Sequence, residues 1–291
     1  MLVLIGFAIV LGSIVGGFMM HGGNLLVLIQ VSEFIIIGGA ALGSLLISST
    51  PQTVVQLVKD VLGLLKPNPY SKSAYKDLLA VLYELFYTAR REGLIGIEQH
   101  AEKPHESSIF KRYPTFARNH HAVGFLTDTL KVLLTGTIPE HNLSEILELD
   151  LERHHEAGKV VPKALATVGD ALPGFGIVAA VLGVIITMGH IGGSPEEIGH
   201  KVGAALVGTF LGVLGAYGVM HPLAAALESR GRSEHAYMDC IRVGILSFAR
   251  GDAPLTSVEF ARRAIISEDR PSFVELEELT NKASEQAKAA A

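Results

Sequence analysis

The stretch DALPGFGIVAAVLGVIITMGH (170–190) decides the fold. From Ala171 to Met188 no side chain carries a charge. At a rise of about 1.5 Å per residue those 18 residues cover roughly 27 Å, close to the hydrocarbon thickness of a bilayer. A carboxylate, Asp170, and a proline, Pro173, stand at its mouth. The segment reads as a membrane span with a polar mouth and an interior that offers no titratable group.

Working outward, three more segments have the same character: 2–20, 34–50 and 202–220. The composition agrees, since 49% of 291 residues are hydrophobic and only 18% are charged. A net charge of −5 gives no basic stripe for nucleic acid. The single cysteine, Cys240, excludes an intrachain disulfide and fits a reducing compartment. The first span lacks a basic leader and a small-residue cleavage site, so it is expected to be a retained helix. Lysine and arginine set the orientation. Fourteen fall between Lys59 and Lys163 and nine between Arg230 and Lys288, whereas the 1–2 connection has none and the 3–4 connection has only Lys201. The positive-inside bias places both long segments, and both termini, in the cytoplasm. The expected organisation is spans 1 and 2 in 1–50, a cytoplasmic helical domain in 51–169, spans 3 and 4 in 170–221, and C-terminal cytoplasmic helices in 222–291. The fold class is therefore an all-α polytopic membrane protein whose mostly helical cytoplasmic part comes from the 2–3 loop and the C-terminal segment.

Small residues recur at packing intervals: Gly12 and Gly16, Gly39 and Gly43, then Ala205, Gly208, Gly212 and Gly215 on one stripe. Such stripes let helices approach closely, within one subunit or between subunits. Span interiors hold only Ser13, Ser44, Thr187, Thr209 and Tyr217 as polar groups, and membrane Ser and Thr mostly bond back to their own helix. Glu33 marks the edge of the second span, at an interface or facing protein. If such spans move ions, the titrating group comes from another chain. Pro173 reads as a first-turn proline of the third span. Pro222 is expected to kink a helix that continues to about residue 248. The two prolines form a candidate pair of hinges.

In the cytoplasmic part, TVVQLVKDVLGLL (53–65) is expected along or beneath the membrane. Residues 71–92 form an amphipathic helix with Leu78, Leu79, Leu82 and Leu85 at helical spacing and Gly93 as its C-cap. Shorter helices are expected at 96–101, 107–111, 123–134, 143–158, 257–266 and from 272, with a frayed end. RHHEAGK (153–159) places His154, His155 and Glu156 side by side, and neighbours on a helix diverge, so no metal site is expected there. GFG (174–176) lacks the context of a nucleotide loop, and no catalytic motif stands out, so an enzyme is not expected. Charges gather at Arg90, Arg91, Glu92, Glu98, Asp128, Asp150, Glu152 and Arg153, as a solvated face or a docking surface.

Four motifs, VGDALPGFGIVAAVLGV (168–184), VGTFLGVLGAYG (207–218), ARREGLIGIE (89–98) and RPSFVELEE (270–278), resemble those of the MotA family of flagellar stator subunits, in the MotA/ExbB/TolQ superfamily. The resemblance runs over essentially the whole chain. It implies a bacterial inner-membrane protein with cytoplasmic termini, a homo-oligomer understood as a pentamer, ringed around a pair of MotB chains in the lipid bilayer. Each MotB supplies an ion-binding aspartate, and the ring turns against the rotor protein FliG. By the same resemblance, Arg90 and Glu98 match the rotor-contact pair, Pro173 and Pro222 the coupling prolines, and Thr209 a hydroxyl on the ion path. Ala180 matches a position that is threonine in sodium-driven relatives and alanine in proton-driven ones. The implied coupling ion is therefore H+, with no cofactor or metal. The run Arg90-Arg91-Glu92 departs from the family pattern and leaves open which arginine meets the rotor. The competing readings are an ExbB/TolQ-like energiser of outer-membrane processes, generally with fewer spans, and a membrane scaffold that conducts nothing.

Overall fold

The computed structural model describes residues 2–289 apart from 137, 190, 191 and 193. Among the described residues the regular structure is helical throughout. In chain order the helices are α1 (Leu2–Met20), α2 (Val31–Ser48), α3 (Pro51–Gly63), α4 (Lys72–Glu92), α5 (Ile95–Glu102), α6 (Ser108–Arg112), α7 (Pro114–Ala117), α8 (His120–Leu134), α9 (Glu140–Met188), α10 (Pro195–Val213), α11 (His221–Ala249), α12 (Pro254–Ala264) and α13 (Phe273–Ala289). Four stretches are long and apolar enough to cross a membrane: Leu2–Met20, Leu25–Ser48, Glu140–Met188 and Pro195–Ala249. Part of the expected 3–4 connection (190, 191 and 193) and the last two residues of the expected frayed end lie outside the described residues.

Two expectations are corrected by α9. The helix expected at 143–158 does not stop at Gly158; it runs unbroken to Met188 with Pro162 and Pro173 inside it. Pro173 is therefore an interior proline, not a first-turn one. An interior glycine costs only about 1 kcal/mol and a proline about 3 kcal/mol, sums that packing along a helix can offset. That packing is visible in the buried series Leu143, Leu147 and Leu151, and again in Val161, Leu165, Val168 and Leu172. The fourth span likewise starts earlier than 202. Ser194 caps α10 by accepting from the Glu197 N–H at 3.2 Å, Pro195 opens the first turn, and Glu196 and Glu197 favour its positive end. Before Pro222 the helix widens into a π turn over Leu214–Met220, and the His221 N–H donates to the Ala216 carbonyl five residues back. A proline ring crowds the carbonyl four residues before it, here that of Gly218, and the wider turn gives that carbonyl room.

The chain divides into two compact units. One holds Met1–Pro67 and Gly158–Arg230. In it α3 packs on α2, with Val54, Leu57 and Val61 half-buried, and the Arg230 guanidinium donates to the Gly63 carbonyl at 2.6 Å, closing the C-terminal end of α3. The other unit holds Asn68–Ala157 and Gly231–Ala291. Its centre is α4, whose Leu78, Leu79, Leu82, Leu85 and Phe86 are fully buried; Phe86 stacks on Phe248 with centroids 4.5 Å apart. Gly93 follows α4 at φ +80°, a conformation that side-chain-bearing residues avoid, so the expected C-cap is in place.

Glu84 is the costly member of that core. It has no exposed surface, pairs with the Arg112 guanidinium and accepts from the Tyr113 hydroxyl at 2.6 Å. Burial, then the bond to Glu84, push the Tyr113 phenol above its ordinary range. Removing one partner of a buried pair strands the other, at a cost of about 3–5 kcal/mol. Glu84→Ala is therefore expected to lower the thermal midpoint of the full chain in detergent sharply. Glu98→Ala, at an exposed position, leaves it unchanged.

Candidate functional site

The third and fourth spans meet along a seam of small residues. A β-carbon added at Gly212 would lie 2.6 Å from the Leu172 carbonyl oxygen and 3.0 Å from Gly176 Cα. One added at Gly176 would lie 2.7 Å from the Gly208 carbonyl and 3.3 Å from Thr209 Cα, and one at Gly183 would lie 2.7 Å from Ala205 Cβ. The stripe Ala205, Gly208, Gly212 and Gly215 therefore packs within the chain, against the face of α9 that carries Leu172, Gly176, Ala179 and Gly183. The other small residues behave differently. Added β-carbons at Gly12, Gly16, Gly39 and Gly43 meet nothing within 4 Å, so those faces open outward.

Three spans converge at Gly208. A β-carbon there would sit 2.6 Å from Glu33 Oε2, 3.1 Å from Ala179 Cβ and 3.2 Å from the Ala180 nitrogen. Glu33 is 6% exposed, and its Oε2 is buried without a hydrogen-bond partner. Of its two expected environments it takes the protein-facing one. A carboxylate in the first turn of an apolar helix signals only an edge. Its burial follows from the missing side chain of Gly208, which sequence alone does not connect to it.

The prolines are joined at the mouth of the seam. Asp170 Oδ1 lies 3.2 Å from His221 Nε2, linking the residue three before Pro173 to the residue just before Pro222. The Tyr217 ring stacks on His221, with centroids 5.4 Å apart. Gly169 leaves room for this contact, since a β-carbon there would meet His221 at 3.2 Å. Ala180 and Thr209 are both half-buried on the two sides of the seam. The Thr187 hydroxyl bonds back to the Gly183 carbonyl at 2.8 Å, the fate usual for a membrane threonine. Pro173, Ala180, Thr209 and Pro222 thus belong to one seam region.

Arg90 and Glu98 belong to the other unit, on α4 and α5, and both are exposed. Arg91 is engaged: it pairs with Glu92 and lies over the Tyr87 ring at 5.9 Å. Among the described residues no ion pair engages Arg90 or Glu98.

Four apolar helical stretches, two of them bearing prolines and closed on each other through glycine contacts, define a polytopic helical membrane protein. Residues 118–240 match the MotA/TolQ/ExbB proton channel family, and residues 4–93 match the family described as Motility protein A N-terminal. The chain is 38% identical over 278 residues to Motility protein A of Salmonella typhimurium, covering 96% of this chain and 94% of that one. It is 35% identical over 273 residues to chemotaxis protein LafT of Vibrio parahaemolyticus, covering 94% and 96%. Its fold matches a solved structure of C. jejuni MotAB with a TM-score of 0.77 at 23% identity, covering 93% of this chain and 98% of that one. The chain belongs to the Motility protein A family.

Proposed function

We propose that this chain is the membrane-spanning stator subunit of a bacterial flagellar motor, which with MotB forms a proton channel and converts proton flow into torque on FliG. The observation that carries this reading is the glycine seam between the proline-bearing spans. It sets two helices in backbone contact around Ala180 and Thr209, while residues 171–188 and 202–220 contribute no carboxylate there. The ion-binding group is then the aspartate of MotB's membrane helix. Solved MotAB assemblies of the same fold support MotB as the partner. Outward-facing Gly12, Gly16, Gly39 and Gly43 supply close-packing faces for further copies or for MotB, in a ring of several subunits in the inner membrane. Alanine at 180 presents no hydroxyl to strip or coordinate Na+, which favours H+ as the coupling ion. Pro173 and Pro222, tied through Asp170 and His221, are the coupling hinges. Both termini are cytoplasmic by the lysine and arginine bias. The chain itself catalyses no covalent chemistry.

Arg90 and Glu98 are the rotor contacts, and Arg91, held by Glu92 and Tyr87, is not. Reversing a docking charge sets like charges against each other, a cost on the order of a few kcal/mol. Arg90→Glu is expected to abolish or strongly reduce swimming while proton flux through reconstituted channels stays at the unsubstituted level, and Arg91→Glu is expected to do less. Equal loss of flux and swimming in Arg90→Glu would remove the rotor-contact assignment.

A further inference from the structure

Adjacent His154, His155 and Glu156 diverge on α9, as helix geometry requires. A different grouping forms across three helices. His121 of α8 and His154 of α9 both reach Glu234 of α11: His121 Nδ1 is 2.7 Å and His154 Nε2 is 3.1 Å from the same oxygen, Oε1. The three ligand-capable atoms lie within 4.8 Å of one another. The two imidazoles meet edge to face, with centroids 5.1 Å apart and an angle of 79° between planes. All three residues belong to the unit formed by Asn68–Ala157 and Gly231–Ala291.

We propose that His121, His154 and Glu234 form a binding site for a divalent transition-metal cation, with zinc the best match.

Two imidazole nitrogens and a carboxylate oxygen are a donor set that zinc takes with water in the fourth position. Tetrahedral ligands at about 2.0–2.2 Å from the ion stand about 3.3 Å apart. The observed 2.7 and 3.1 Å separations are a few tenths of an ångström short of that spacing. The adjustment falls on His121, whose side chain is 65% exposed and free to swing, whereas His154 and Glu234 are held at 33% and 24%. The same exposure gives the ion its route in. Calcium and magnesium are excluded by the nitrogen donors, since those ions prefer all-oxygen shells. Nickel and copper share the donor preference, and zinc suits the tetrahedral arrangement without a planar demand. Beside the cluster, His235 follows Glu234 on α11, packs on His155 with centroids 4.7 Å apart, and has a buried Nδ1 without a partner, so the neighbourhood is rich in imidazole. A bound ion would replace two hydrogen bonds to one oxygen by three coordinate bonds, clamping α8, α9 and α11 at one point.

The test uses the full chain co-purified with MotB through a tag free of histidine. Zn2+ is titrated against a chromophoric chelator, and Co2+ substitution is followed by its visible absorption. One saturable site per chain is expected, with Kd at or below about 1 μM. His121→Gln, His154→Gln and Glu234→Gln are each expected to weaken it at least about tenfold and to remove the tetrahedral Co2+ bands, with His105→Gln unchanged. His121 lies at the surface, so its substitution leaves the fold intact and carries the decision. An affinity unchanged in His121→Gln, or no saturable site below about 100 μM, overturns the proposal.

Discussion

Proton uptake into liposomes is expected to stay at background with this chain alone, to rise at least about tenfold when MotB is reconstituted beside it, and to return to background when MotB's membrane aspartate is changed to asparagine. Asparagine keeps the shape and the hydrogen-bonding ends but carries no exchangeable acid proton near neutral pH. The expectation rests on what the third and fourth spans lack. Along the seam from Leu172 to Gly183, α9 meets α10 through backbone, small side chains and Leu172, with the Thr209 hydroxyl half-buried on the α10 side as the polar side chain there. A hydroxyl can pass a hydrogen bond along but does not titrate near neutral pH, so a cycle of binding and release needs an acid from elsewhere. Among the described residues Glu33 is the one buried carboxylate of this unit, and it lies against Gly208. It is therefore the internal control. If the chain leaks protons alone and Glu33→Gln stops the leak, the chain carries its own acid and the borrowed-aspartate reading is lost. If flux needs MotB's aspartate and survives Glu33→Gln, Glu33 is a packing residue, set beside a glycine that leaves space for it.

The membrane plan was legible because it is written in one dimension. Hydrophobic length needs no knowledge of contacts, and the four apolar stretches appear close to where the sequence puts them. Amphipathic periodicity found α4 and its buried leucines for the same reason. What escaped depends on partners distant in sequence. Gly158 and Pro162 look like a break when judged locally, yet α9 continues because Leu143, Leu147 and Leu151 on one side of them and Val161 and Leu165 on the other are buried by other elements. Ser194 followed by Pro-Glu-Glu is a readable start signal for α10, standing ahead of the apolar run that begins at Val202. Pro222 announced a distortion without its form, since a kink and a π turn both relieve the same clash. Glu33 looked peripheral because Gly208, which admits it, is 175 residues away. His121, His154 and Glu234 could not be joined by spacing at all, because each comes from a different helix.

Gly212→Val is expected to abolish swimming and to reduce MotB-dependent proton flux by about tenfold or more, with the protein still present in the membrane. Even a β-carbon at this position would stand 2.6 Å from the Leu172 carbonyl and 3.0 Å from Gly176 Cα, and both are backbone atoms that no rotamer change can move. Overpacking against side chains costs about 1–3 kcal/mol, and against backbone the helices themselves must separate. Separation at this point acts on both prolines, because Leu172 immediately precedes Pro173 and Gly212 lies ten residues before Pro222 on the helix that carries the π turn. Gly176→Val is expected to have the same effect from the opposite side of the seam, through the Gly208 carbonyl at 2.7 Å. Gly174→Val supplies the comparison. It introduces the same valine into the same helix two residues away, where an added β-carbon meets nothing within 4 Å of this chain. If all three variants lose swimming equally, valine is disrupting helix formation or contacts with other subunits in general. Retained swimming in Gly212→Val would mean that the third and fourth spans do not need backbone contact to work, and the seam would lose its place at the centre of the mechanism.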